Sequence, residues 1–161
     1  MNMLPSSDKL RQKLVLKEYL RELSTLAGRF VYADELSSLE QVILMREKAQ
    51  QSEIKESIST EMLFLDRNSK RFKEFVEKLT IANSSSIYIW TPRTIDCGAL
   101  LLPSLSAIKF DFDFTLNKEG ILVFATSDLV DSLLLDFYIS PMGDQRLKIE
   151  TKGKSWGRIS Y

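Results

Sequence analysis

Ala107 to Thr126 reads AIKFDFDFTLNKEGILVFAT, and its first half alternates: Ile108, Phe110, Phe112, Phe114 and Leu116 fill one set of positions, Lys109, Asp111, Asp113 and Thr115 the other. A period of two puts the two sets on opposite faces of an extended chain, so 107–116 predicts a half-buried antiparallel strand. The polar turn Asn117–Gly120 then returns the chain into a second strand at Ile121–Thr126. Tight polar connections of this kind join antiparallel neighbours, and that reading decides the fold class.

Working outward, Ser127–Ser132 reads as a connection, Leu133–Ile139 and Arg146–Thr151 as two further strands around Pro141–Asp144, and Ser155–Tyr161 as a last one. On the other side, Ile87–Thr91 is a short strand stopped by Pro92, and Ala99–Leu102 is an apolar strand inside a loop. Before Ile87 the period changes to that of helices. Phe72, Phe75, Val76 and Leu79 make one helical face, capped by Asp66, Asn68 or Ser69. Leu16, Tyr19, Leu20, Leu23 and Ala27 make another, with Ser6, Ser7 and Asp8 as caps and Gly28 as the stop. Between them, Leu36, Leu39, Ile43, Ile54 and Ile58 form a thinner stripe interrupted at Glu47 and Gln50, a helix partly exposed or broken near Gln50. The chain therefore predicts one α+β domain over residues 1–161. Helices fall mainly in 7–81 and strands mainly in 87–160, the helical half packing on a mainly antiparallel sheet of five to six strands.

A chain of 161 residues suits one hydrophobic core. The single Cys97 excludes an internal disulfide framework and points to a reducing compartment. Met1–Leu10 lacks a basic start followed by an apolar run, and no stretch is long enough to span a bilayer, so the expected address is cytoplasmic, with no membrane partner. The formal net charge of zero argues against direct nucleic-acid binding, which needs a basic face. Charge is nevertheless uneven. From Asp96 to Asp144 eight acids face two bases, a balance of −6, and from Gln145 to Tyr161 five bases face one acid, a balance of +4.

Histidine is absent, which removes the commonest general base and the usual activator of a serine or cysteine nucleophile. Cys97, beside Ile95, Gly98 and Ala99, reads as a small buried thiol. No phosphate-binding glycine loop, dinucleotide fingerprint or nucleophile elbow occurs, so no catalytic residue, metal ligand or cofactor is expected. Asp111 and Asp113 have the spacing of paired metal ligands, but the alternation accounts for them as the wet side of a strand. Asp136, Glu150 and Lys152 are similar to the D, then E-x-K arrangement of restriction-type nucleases, in which carboxylates hold magnesium and the lysine assists the attacking water. A cross-strand pair of Asp136 with Lys148 or Lys152 accounts for the same residues.

Gly120-Ile-Leu-Val-Phe124, Asp128 and Asp131, Leu133-Leu-Leu-Asp136-Phe-Tyr138, Leu147-Lys-Ile149 and Lys154-Ser-Trp156 together resemble immunity proteins of bacterial toxin systems, including contact-dependent growth inhibition. The resemblance covers less than half of the chain, from Phe110 to Trp156. It implies a non-enzymatic cytoplasmic protein that binds a cognate toxin and occludes its active site or substrate surface. If that toxin is a cationic nuclease, Asp111, Asp113, Asp128, Asp131 and Asp136 would mimic nucleic-acid charge, with Tyr138 and Trp156 as aromatic anchors. Two alternatives stand beside it: a magnesium-dependent nuclease using Asp136, Glu150 and Lys152, and an adaptor or chaperone with an apolar surface on the Leu36–Ile58 segment.

Overall fold

Ser69 accepts the backbone N–H of Phe72 at 3.2 Å, and that cap starts the helix whose face was plainest in the sequence. In the computed structural model, which describes residues 6–51 and 56–161, this helix is α3, Lys70–Ala82, after α1, Ser6–Ala27, and α2, Leu39–Gln50. A single turn, α4, covers Thr94–Cys97. The strands are β1 Ser57–Leu63, β2 Ile87–Trp90, β3 Leu100–Leu102, β4 Ile121–Thr126, β5 Asp131–Ile139 and β6 Gln145–Gly153. They form one antiparallel sheet in the order β1-β6-β5-β4-β2-β3, so the protein is an α+β fold on a six-stranded sheet.

One face of the sheet carries the core. Ile87, Ile89, Leu122, Phe124, Leu133, Leu135, Leu147 and Ile149 pack in one cluster with Tyr19, Leu23 and Leu26 of α1 and Phe72, Phe75 and Leu79 of α3. α2 lies on the opposite face. It starts beside β3, where the Ser37 N–H bonds to the Ala99 carbonyl at 2.9 Å, and ends with Ala49 in a hollow shared with Ala125, Ser132 and Lys152, one cross-strand row of that face.

Three expectations need correction. Ala107–Leu116 joins no ladder: Ala107 ends a 3-10 turn, Phe114 and Thr115 form another turn, and the stretch between them carries no regular structure. Its phenylalanines point inward as the alternation requires, Phe110 against Phe124 at 5.7 Å and Phe112 against Phe137 at 5.5 Å between ring centroids, so the segment crosses the packed face of the sheet. Its backbone is met from outside the sheet: Lys109 N–H donates to the last-turn Leu26 carbonyl of α1 at 2.7 Å, and Arg67 Nε donates to the Phe112 carbonyl at 2.6 Å. Second, Ile58 is not helical. It lies in β1, an edge strand within the half expected to be helical, while Ile54 falls outside the described residues. Third, Ser155–Tyr161 forms a short 3-10 turn at Trp156–Arg158 and no strand. α1 also takes in Ser6, Ser7 and Asp8, which were expected to precede it.

Asp131 fixes the C-terminal turn. Its Oδ1 accepts the backbone N–H groups of Ser155 and Trp156, each at 2.8 Å, and its Oδ2 accepts from Asn83 Nδ2 at 2.7 Å. Gly153, at φ 123°, passes so close to Val130 and Asp131 that a Cβ would collide with them, so the approach requires glycine. Trp156 is thereby seated with no exposed surface, and its Nε1–H donates to the Leu79 carbonyl at 2.8 Å.

Candidate functional site

Residues that alternate with the core positions line the second face of the sheet, and strand pairing orders them in rows. Leu63, Arg146 and Tyr138 make one row. Glu61, Lys148, Asp136 and Ile121 make the next, followed by Ser59, Glu150, Leu134, Val123 and Trp90. The row of Ser57, Lys152, Ser132, Ala125 and Tyr88 runs under the end of α2. The uncovered part is thus an aromatic and aliphatic strip beside charges of both signs, with Lys148 between Glu61 and Asp136 and with Arg146 and Glu150 in the rows on either side. Opposite charges on facing strands stabilise the ladder, so this face is compensated within itself.

Tyr138 stands at its corner, half-buried, and donates its hydroxyl to Glu61 Oε1 at 2.8 Å. That bond holds the phenol above its usual range, because ionising it would place two negative oxygens in contact. Arg146, opposite Tyr138, is 3.6 Å from Asp144. The corner therefore presents a tyrosine and an arginine on paired strands with their side chains already engaged.

The sequence-derived candidates fall in four places. Asp136 and Tyr138 share the second face with Glu150 and Lys152. Asp111 and Asp113 are exposed on the 107–116 segment, on the side of the sheet that carries α3, and their charges act on Arg67. Asp128 sits in the β4–β5 connection, where burial raises its pKa but bonds from Thr126, Val130, Asn83 and Ser85 outweigh that and hold the carboxyl below its usual range. Asp131 and Trp156 are interior, so neither offers a surface to a partner, and the five aspartates make no single patch. Among the described residues no group of three or more His, Cys, Asp or Glu side chains is placed to hold a metal ion. Cys97 is half-buried with its thiol pKa raised, first by burial and then by Asp96, the opposite of activation.

A charged cluster inside the fold escaped the sequence reading. Glu22 of α1 is 3% exposed, accepts from Asn117 Nδ2 at 2.9 Å and lies 3.3 Å from Arg93, which also reaches Glu119 at 3.4 Å. Burial raises the Glu22 pKa, opposed by the Asn117 hydrogen bond and the Arg93 charge. Asn117 also accepts the Gly120 N–H at 2.7 Å, so the cluster ties α1 to the turn before β4. Its signal was an acid three residues beyond Tyr19, beside the apolar face of α1.

The fold and this face define an α+β protein with a half-covered antiparallel sheet. No family model matches the chain, and no curated protein or solved structure matches it significantly. Among the described residues no helix is long and apolar enough to cross a membrane.

Proposed function

We propose that this chain is a non-enzymatic immunity protein of the bacterial cytoplasm, which binds a cognate toxin, a nuclease, and occludes its active site or substrate surface. The observation that carries the reading is the open corner of the second face, where Tyr138, Arg146, Leu63, Asp136 and Ile121 lie on four adjacent strands of one sheet. Tyrosine and arginine dominate interface energetics, and anchors on a rigid sheet lose little entropy on binding. The exposed Asp111, Asp113 and Asp128 suit a cationic toxin by steering its approach, which needs no single patch.

The test is capture from the native host at low and high salt, with captured proteins identified by mass spectrometry and any toxin domain then co-expressed with this chain. Recovery of a toxin whose growth arrest the wild type relieves and Tyr138→Ala does not is the expected result. Failure to recover a toxin whose expression is confirmed sinks the proposal.

One observation favours an adaptor instead: Leu39, Ile43 and Leu44 of α2 are exposed, an apolar surface within the segment where that reading requires it. A stable self-dimer lost on Ile43→Asp, with the monomer still folded, would support it. The nuclease alternative has Asp136, Glu150 and Lys152 on one face, and metal-stimulated cleavage abolished by Glu150→Ala is the result it requires.

A further inference from the structure

α1 turns Tyr19, Leu23 and Leu26 into the core, and the opposite side of the helix, at three- and four-residue spacing, holds Leu10, Lys13, Leu14, Lys17, Arg21 and Thr25. All six are exposed and none is acidic. Leu10 is 60% exposed and Leu14 53%, one turn apart at the outermost part of the face. Carboxylates stand at its margins: Glu18 approaches Arg93 at 4.0 Å, Asp113 lines a polar hollow on the Glu22 side of Arg21, and at the far end Glu35 pairs with Arg29 at 2.9 Å.

The same stripe ends in an aromatic. Gly28, at φ 67°, turns the chain out of the helix, and the following turn is pinned on both sides of Phe30. Arg29 N–H donates to the Ser24 carbonyl at 3.3 Å, and Val31, itself buried, donates its N–H to Ser24 Oγ at 2.9 Å. Phe30 is therefore 81% exposed on a fixed turn, where it lines a cleft with Arg21, Ser24 and Thr25, and Tyr32 just beyond is 66% exposed. Leucines at one end, a phenylalanine at the other and bases between them occupy a line about 27 Å long.

We propose that this face of α1 docks on an anionic lipid bilayer. Leu10, Leu14 and Phe30 enter the boundary between headgroups and acyl chains, while Lys13, Lys17 and Arg21 meet lipid phosphates. Charge complementarity selects an anionic occupant, since the crest of the helix carries Lys13, Lys17 and Arg21 while the neighbouring acids stand at its edges, Glu35 already paired with Arg29. Shape selects a bilayer among anionic occupants. The leucines and bases lie along the crest of a convex helix, which a planar surface meets at every point and a protein partner meets only by offering a long groove. A phosphate backbone uses the bases but leaves the leucines and Phe30 unburied. Such docking lies in the membrane plane and requires no spanning helix.

The test is co-sedimentation of the full chain with vesicles of phosphatidylcholine alone or mixed with phosphatidylserine, at low and high salt, beside binding to polyglutamate and to single-stranded RNA. The expected result is sedimentation with the phosphatidylserine vesicles, lost at high salt and weakened roughly fivefold by Lys17→Gln or Arg21→Gln. Phe30→Ser weakens it too, whereas Tyr138→Ala, on the second face of the sheet, leaves it unchanged. These positions are exposed, so the variants keep the fold, which circular dichroism checks. Absence of sedimentation with the anionic vesicles, retention on polyglutamate or RNA alone, or sedimentation indifferent to Phe30→Ser overturns the proposal.

Discussion

Glu22 shows how one buried side chain makes stability depend on pH. Its carboxyl is raised by burial, so the folded chain holds that proton at pH values where the unfolded chain has released it. The stability it contributes is full below the unfolded value of about 4.3 and is lost as pH rises through the folded one. Glu22→Gln removes the titrating group, and urea unfolding from pH 4 to pH 7 should show a flatter decline in stability than wild type. An unchanged slope would mean that Arg93 and Asn117 compensate the charge in full. Asp131 acts through hydrogen bonds: its buried side chain accepts three, all from elements it holds together. Asp131→Ala strands the Ser155 and Trp156 N–H groups and should cost about 3 kcal/mol, with Asp131→Asn costing less because one oxygen still accepts both. Neither role was legible in the sequence, where Asp131 belongs to an acidic run and Glu22 to an amphipathic helix. What separates a surface acid from a buried one is its set of donors, and those arrive from residues 24 to 95 positions away.

At the scale of elements, side-chain pattern and backbone pairing came apart. Residues 107–116 have a strand's alternation and place their side chains as a strand would, because alternation reports which face is wet. It does not report whether a neighbouring strand exists. The backbone partner here is Arg67, whose guanidinium reaches the carbonyls of Phe64, Asp111 and Phe112 while lying 4.2 Å above the Phe64 ring. Arg67→Met should therefore destabilise the fold by about 2 kcal/mol and speed amide exchange in 109–114 before any change in β5 or β6. Uniform exchange along the chain would show that the segment opens only with the whole core. β1 was missed for the converse reason: Ile58, Thr60 and Met62 alternate with polar residues, but Ile54 and Ile58 also satisfy helical spacing, and the partner that decides between them, β6, lies ninety residues downstream at Lys152–Arg146. α3 was read correctly because its cap, face and stop are all local.

Over the whole molecule, the two faces of the sheet differ in how they are covered. The packed face receives α1, α3 and the phenylalanine segment, while the second face is covered by α2 at one end and left open at the Tyr138 corner. The sequence reading named Asp136 and Tyr138 as contact candidates, but Glu61 and Leu63 of the missed strand complete the rows in which they stand, so the site was only partly visible. The Tyr138 corner adds little to the core, since its hydroxyl bonds to the exposed Glu61 and the ring is not part of the packed cluster. Tyr138→Ala should thus change unfolding stability by no more than about 1 kcal/mol. If the corner is the contact surface, the same substitution should weaken binding to the cognate toxin by about 2 kcal/mol, roughly thirtyfold, measured by isothermal titration. Asp136→Lys at the same corner separates contact from charge. Loss of binding through faster dissociation would mark a direct partner of Asp136, whereas slower association with dissociation unchanged would mark a steering role.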